Sequence, residues 1–225
     1  MTMFSNQTFL VRVDDLALAA PYTTVVDDLA FLVSHGVRPI VVASQPELAR
    51  EYVRAINRRT NVAVGLCGSD AALLPAAGPG ALGAVQTGIL RTLLDAGYVP
   101  VIEPTALNLA GEAIAVSADD VAAAIAAATE AIRAVFFNAS GGVVDRETAQ
   151  LIAELTPAEA LALADGDGLD VDLRAAVRAA AHGVRGGVGA AQIVDGRVAH
   201  AAIVEFLTAV HLGTQVTGGV YVGTA

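Results

Sequence analysis

At 225 residues the chain has room for one α/β domain or two closely fused lobes, and its 23 acidic side chains against 13 basic ones give a formal net charge of −10. With an isoelectric point near 4.7, nucleic acid and anionic membranes are excluded as natural partners. All 13 basic residues are arginine, and lysine is absent. Much of the 55% apolar content is alanine, and no run of about 18 bulky apolar residues suggests a membrane span. The start, MTMFSNQTFL, has neither the basic region nor the apolar core of a signal peptide, and the single cysteine, Cys67, rules out an internal disulfide framework. A cytoplasmic protein is expected, with Cys67 as a small buried hydrophobe.

In chain order, residues 7–13 read as a strand and 22–35 as a helix with Val25, Val26, Leu29, Leu32 and Val33 on one side. RPIVVA (38–43) is a buried strand. PELAREYVRAINRR (46–59) is a helix opened by Pro46 and closed by arginines that suit its dipole. A strand follows at 61–66, and residues 68–84, rich in Gly, Ala and Pro, carry no clear pattern. A helix is expected over 86–96, a strand over 98–104, and a hairpin over 107–116 turning at Ala110-Gly111. Ser117 suits an N-cap for a helix over 118–129. A buried strand (132–139), a helix opened at Thr156-Pro157 and another over 170–184 come next. A strand and turn (188–197), a helix (200–210) and a short strand (213–216) complete the chain. Short buried strands alternating with helices imply an α/β fold, a three-layer αβα sandwich around a mainly parallel sheet. No repeat, flexible linker or low-complexity tail is evident.

Several stretches resemble the amino acid kinase family, and within it the acetylglutamate kinases. These are AAQIVDGRVAHAAIVEFLTAVHLGTQV (190–216), GYVPVIEPTALNLAGEAIAVSADDVAAAIAAA (97–128), VFFNASGGVVD (135–145), VAVGLCGSDAALL (62–74) and HGVRPIVVASQPEL (35–48). The resemblance implies the carbamate kinase-like fold, with a substrate lobe over 1–115 and a nucleotide lobe over 116–225. The lid hairpin of the substrate lobe is skipped between Arg59 and Asn61. The family's first strand ends in a phosphate-binding lysine followed by paired glycines, and here those positions hold Arg12, Asp14 and Asp15. Its aspartate that organises the catalytic lysines matches Asn138, and its second catalytic lysine matches Asp172. A lysine in the turn after the third strand is replaced at Ser69, next to Asp70. Asparagines that bind acetylglutamate match Ala115 and Ser117, and the glycine run after the second strand reads ASQ, with Ser44 and Gln45.

By the same resemblance, Ser140, Gly141 and Asp195 would contact a nucleotide such as ATP. Arginine keeps the charge at position 12 but differs in shape and reach from lysine. Aspartates in place of glycines put negative charge where a polyphosphate should sit. Three readings follow. One is a catalytically inactive kinase-like subunit that binds, regulates or scaffolds, as a homo-oligomer or in a heteromer with an active relative. A second is an acidic cleft in which Asp14, Asp15 and Asp172, with Asp70 and Asn138 nearby, hold a divalent metal or cationic ligand for non-kinase chemistry. A third is an oligomeric storage protein. The four histidines show no metal spacing and read as structural.

Overall fold

The computed structural model describes residues 4–15, 24–208 and 210–219. Its elements are β1 (Thr8–Val13), α1 (Thr24–Ser34), β2 (Arg38–Ala43), α2 (Pro46–Asn57), β3 (Ala63–Leu66), β4 (Ala76–Gly78) and β5 (Ala81–Leu82). They continue with α3 (Gly88–Asp95), β6 (Val99–Ile102), β7 (Thr105–Leu107), β8 (Ala113–Ala115), α4 (Ala118–Ala128) and β9 (Arg133–Phe137). The chain closes with β10 (Glu154–Leu155), α5 (Pro157–Asp165), α6 (Val171–Arg185), β11 (Ala190–Val194), α7 (Ala201–Leu207) and β12 (Thr214–Thr217).

Eight strands form one sheet in the order β10-β12-β11-β9-β1-β2-β6-β3. Every pairing in it is parallel except β11 with β12. Side-chain alternation along the strands builds two cores. Phe9, Val11 and Val13 of β1 pack with Leu29 and Leu32 of α1, Tyr52 and Ile56 of α2 and Phe206 of α7. Leu10 points the other way, into a core with Val121 and Ile125 of α4 and Val177 of α6. The αβα sandwich expected from the sequence is the observed architecture, and in the eight-stranded sheet β1, β2, β6 and β3, from residues 8–102, lie on one side while β9, β11, β12 and β10, from residues 133–217, lie on the other.

The helix starts follow their local chemistry. Pro46 occupies the first turn of α2, and Thr156 and Glu159 form a reciprocal capping box on α5. Ser117 caps α4 by accepting from the backbone N–H of Asp120. Ser117→Ala is expected to cost about 1 kcal/mol, seen as a lower urea midpoint at unchanged slope. An unchanged midpoint would show that the hydroxyl contributes nothing. The hairpin falls where expected, with Asn108 Oδ1 accepting from the N–H groups of Ala110 and Glu112 and Gly111 at φ 80°.

Three features depart from the sequence reading. Residues 68–84 form a short 3₁₀ turn at Asp70–Ala72 and a two-stranded ribbon, β4 with β5. β10, only two residues long, joins the sheet edge beside β12. The helix expected over 22–35 ends at Ser34 and the one expected over 200–210 runs Ala201–Leu207, while residues 22, 23 and 209 lie outside the described ones. The alanine faces of α4 and α6 pack against one another within the chain: Ala122, Ala126, Ala179 and Ala180 are fully buried. A Cβ on Gly186 would meet the Ala127 side chain at 2.8 Å, so this seam is already closed to added volume.

Candidate functional site

Because β1, β2 and β9 run parallel and in register, their C-terminal ends open on one side of the sheet. That crevice is where ligands enter open α/β sheets. A cavity of about 370 Å³ lies there, closed on one side by the N-terminus of α6. Arg12, Asp14 and Asp15 line it from the end of β1, and Ser44 and Gln45 from the end of β2. Asn138 and Ser140 line it from the turn after β9, and Asp170 and Asp172 from the start of α6. A second cavity of about 420 Å³ between Ala76–Pro79 and the Asn108–Ala110 turn has an apolar lining without titratable groups, so the chemistry belongs to the first.

Arg12 stands on the face of β1 that looks toward α4, and this decides its role. Its Nε lies 2.9 Å from Oδ1 of Asp119, and NH2 is 3.4 Å from Oδ2. NH1 donates to the carbonyl of Phe137 at 2.9 Å. Both side chains are largely buried. Burial pushes the Asp119 carboxyl above its ordinary value, with Asp120 and Asp172 adding to the rise while Arg12 pulls it back. The guanidinium is thus bound into the wall of the cavity.

The N-terminus of α6 is also satisfied from within. Asp170 accepts from the N–H of Leu173 at 2.9 Å and from the Ser140 hydroxyl at 3.0 Å. These bonds, the backbone one first, hold its carboxyl below the usual range. An anion approaching this helix end meets a carboxylate already in the capping position. Asn138, 5% exposed, turns its Oδ1 to the N–H of Ser140 at 2.9 Å.

The remaining residues singled out from the sequence lie apart. Gly141, at φ 71°, is next to Asp195, whose carboxylate takes the Arg197 guanidinium while Arg197 also donates to the Ala139 carbonyl. Ser69 and Asp70 do not join the cleft, because β3 is an edge strand separated from β2 by β6. Asp70 instead accepts from the N–H of Cys67, and Ser69 Oγ sits 3.0 Å from Cys67 Sγ. Ser117 is the α4 cap. The metal set of Asp14, Asp15 and Asp172 borders one cavity but does not converge: among the described residues no three His, Cys, Asp or Glu side chains could hold a metal ion.

Two site residues escaped the sequence reading, Asp119 and Asp170. Asp170 carried a signal, an aspartate just before a helical pattern; Asp119 shows its role only through Arg12, 107 residues away. The histidines divide between solvent and buried acids. His200 Nδ1 is 2.6 Å from Asp28 Oδ1, where burial raises the carboxyl against the opposing pull of His200. His211 lies 3.6 Å from Glu205.

The Amino acid kinase family profile matches residues 62–188. An acetylglutamate kinase of Synechococcus sp. (strain WH7803) is 40% identical over 183 residues, covering 75% of this chain and 61% of the relative. One of Trichlorobacter lovleyi is 32% identical, with 65% of the relative covered. The chain therefore spans less than two thirds of these relatives. With the acetylglutamate kinase of Thermosynechococcus vestitus it is 31% identical over 268 aligned positions, covering 96% of this chain and 90% of the relative. That alignment is longer than the chain, so the relative has internal residues without a counterpart here. Among solved structures, the N-acetylglutamate synthase of Neisseria gonorrhoeae complexed with coenzyme A and N-acetyl-glutamate superposes with a TM-score of 0.81 at 18% identity, over 97% of this chain and 61% of that one. Carbamate kinase of Giardia lamblia reaches 0.68 at 10% identity, covering 97% of this chain and all of that one.

Proposed function

This chain belongs to the amino acid kinase family as an acetylglutamate kinase-like member, and from that premise we propose that it is a catalytically silent subunit that acts by binding or scaffolding. The observation that carries the reading is the state of Arg12: the one cationic side chain lining the cleft among the described residues is paired with buried Asp119. Around it stand Asp14, Asp15, Asp170 and Asp172.

Phosphoryl transfer is mainly placement and neutralisation of charge on the transferring group. A cleft for that chemistry presents cations to the γ-phosphate; this one presents carboxylates. Two unit charges about 4 Å apart interact by about 4 kcal/mol at an effective dielectric of 20. Exchanging attraction for repulsion at one such position therefore weakens phosphate binding by about a thousandfold or more. The chain has no lysine to restore the balance from elsewhere. Association with copies of itself or with an active relative is part of the proposal, since a silent subunit needs a partner to act on.

The test is a phosphoryl-transfer assay with ATP and N-acetylglutamate, trapping acyl phosphate with hydroxylamine, beside an active acetylglutamate kinase. Product at the background level is expected. Sustained turnover by the unaltered protein would overturn the reading.

A further inference from the structure

We propose that His200 and Asp28 form a pH-sensitive clasp that fastens the start of α7 to α1 and, through the turn before α7, steadies the wall of the cleft. The clasp belongs to the side of the sheet where α1, α2 and α7 pack, opposite α4 and α6, and works in the same way whatever the cleft binds.

α7 does not cap itself. Its N-cap residue, His200, sits at φ 58° and makes no side-chain bond to the helix. α1 supplies the missing acceptors. The Thr24 hydroxyl accepts from the His200 N–H at 3.0 Å, and the Asp28 carboxylate accepts from the Ile203 N–H. The same carboxylate meets the imidazole, with Asp28 Oδ1 2.6 Å from His200 Nδ1. Asp28 is 0% exposed, and its Oδ2 is buried without a hydrogen-bond partner among the described residues. The His200 ring, in contrast, stands half in solvent. A buried carboxylate therefore depends for its neutralisation on an imidazole that water can reach.

The other charges on the packed elements do not replace that imidazole. Asp27, next to Asp28 on α1, adds repulsion and is itself taken by Arg59, just after α2, at 2.8 Å. The charged residues of α2 are exposed, and Arg38 of β2 pairs with Asp95. On α7 the charged residue is Glu205, buried, which accepts from the N–H of Leu212 and has His211 3.6 Å away. Arg133 of β9 reaches the Glu205 carbonyl rather than Asp28. Burial raises the Asp28 carboxyl above its ordinary value, and His200 is the main group opposing the rise.

Imidazoles change charge between about pH 5 and 8. With the ring protonated the pair is a charge-assisted bond; once the ring is neutral, a buried carboxylate keeps only a neutral donor. A carboxyl with a raised folded value likewise loses its contribution as the pH rises through that value, so both groups loosen the clasp toward alkaline pH. The change reaches the cleft because the chain between β11 and α7 bears on its wall. Arg197 donates to the Ala139 carbonyl at 2.9 Å, Asp195 lies against Gly141, and Ala139 and Ser140 line the cavity.

The experiment is amide hydrogen exchange of the full chain at several pH values between about 5.5 and 8.5, corrected for intrinsic exchange rates, with the His200 ring followed by NMR. Protection of the α7 amides is expected to fall about threefold to tenfold across this range, the difference between a charge-assisted and a neutral hydrogen bond. The fall should track the His200 titration, the amide resonances of residues 139–141 should shift with it, and protection of β1 should hold. In His200→Gln, which cannot titrate, α7 protection should be low and the same at every pH. Asp28→Asn should also flatten the profile, whereas His211→Gln should keep it. A thermal melt shows whether each variant is folded, and the profile of the unaltered protein stands without them. Constant α7 protection, an equal fall in β1, or a fall that survives in a folded His200→Gln would each overturn the proposal. So would residues 139–141 that do not respond while His200 titrates.

Discussion

Arg12→Met is expected to lower the free energy of unfolding by about 3–5 kcal/mol, because it leaves the carboxylate of Asp119 buried without its cation. Asp119 is 6% exposed, and removal of the guanidinium also frees the Phe137 carbonyl from its bond with NH1. A loss of that size is a large share of the 5–15 kcal/mol by which domains are stable. The pH profile identifies the cause. Burial already raises the Asp119 carboxyl, and Arg12 is the main group holding it down. A carboxyl whose folded value is raised contributes its stability in full below the unfolded value near 3.8 and loses it as the pH rises through the folded value. The deficit of Arg12→Met should therefore be small in acid and grow toward neutrality. Adding Asp119→Leu should restore most of the stability and flatten the profile, since replacing both members of a buried pair is far milder than removing one. Denaturant titrations across pH measure this directly. A cost under about 1 kcal/mol with a flat profile would mean that the pair is not the buried anchor described here.

Gly213→Ala is expected to be as disruptive by a steric route. A Cβ at this position would overlap the backbone carbonyl oxygens of Ile193, at the end of β11, and Gly141, in the turn behind the cleft. Neither is the end of a flexible side chain, so the strand or the turn must move. A cost of about 3 kcal/mol or more is expected. The amide resonances of residues 139–142 should shift together with the drop in midpoint. Gly219→Ala is the control, since a Cβ there would meet nothing within 4 Å. Equal stability of both variants would contradict the close approach of the two segments.

The fold was largely legible because each strand is short, apolar and bounded by Gly, Pro or a capping residue. Ser117, Thr156 and Pro46 mark helix starts by chemistry that needs only three or four residues of sequence. The meeting of Asp14, Ser44, Asn138 and Asp172 was legible for a topological reason: each follows the C-terminal end of a strand or opens a helix on that side. What lay hidden was partnership across the chain. Nothing near Arg12 announces Asp119, and nothing near His200 announces Asp28, 172 residues away. Asp70 looked like a cleft residue because aspartates after strands often are. Its own backbone claimed it instead, through the N–H of Cys67. Two-residue β10 is too short to carry an alternation, and it is held by pairing with β12 rather than by its own sequence.

The charge inversion of the cleft is the claim on which the account stands, and calorimetry of Mg-ATP binding tests it most directly. The unaltered chain would be measured beside an Asp14→Gly, Asp15→Gly, Asp172→Lys variant. The unaltered protein should bind more weakly than about 1 mM, with the variant measurably tighter as the repulsion is removed. Micromolar binding by the unaltered protein, unchanged in the variant, would contradict the claim that these carboxylates close the cleft to phosphate.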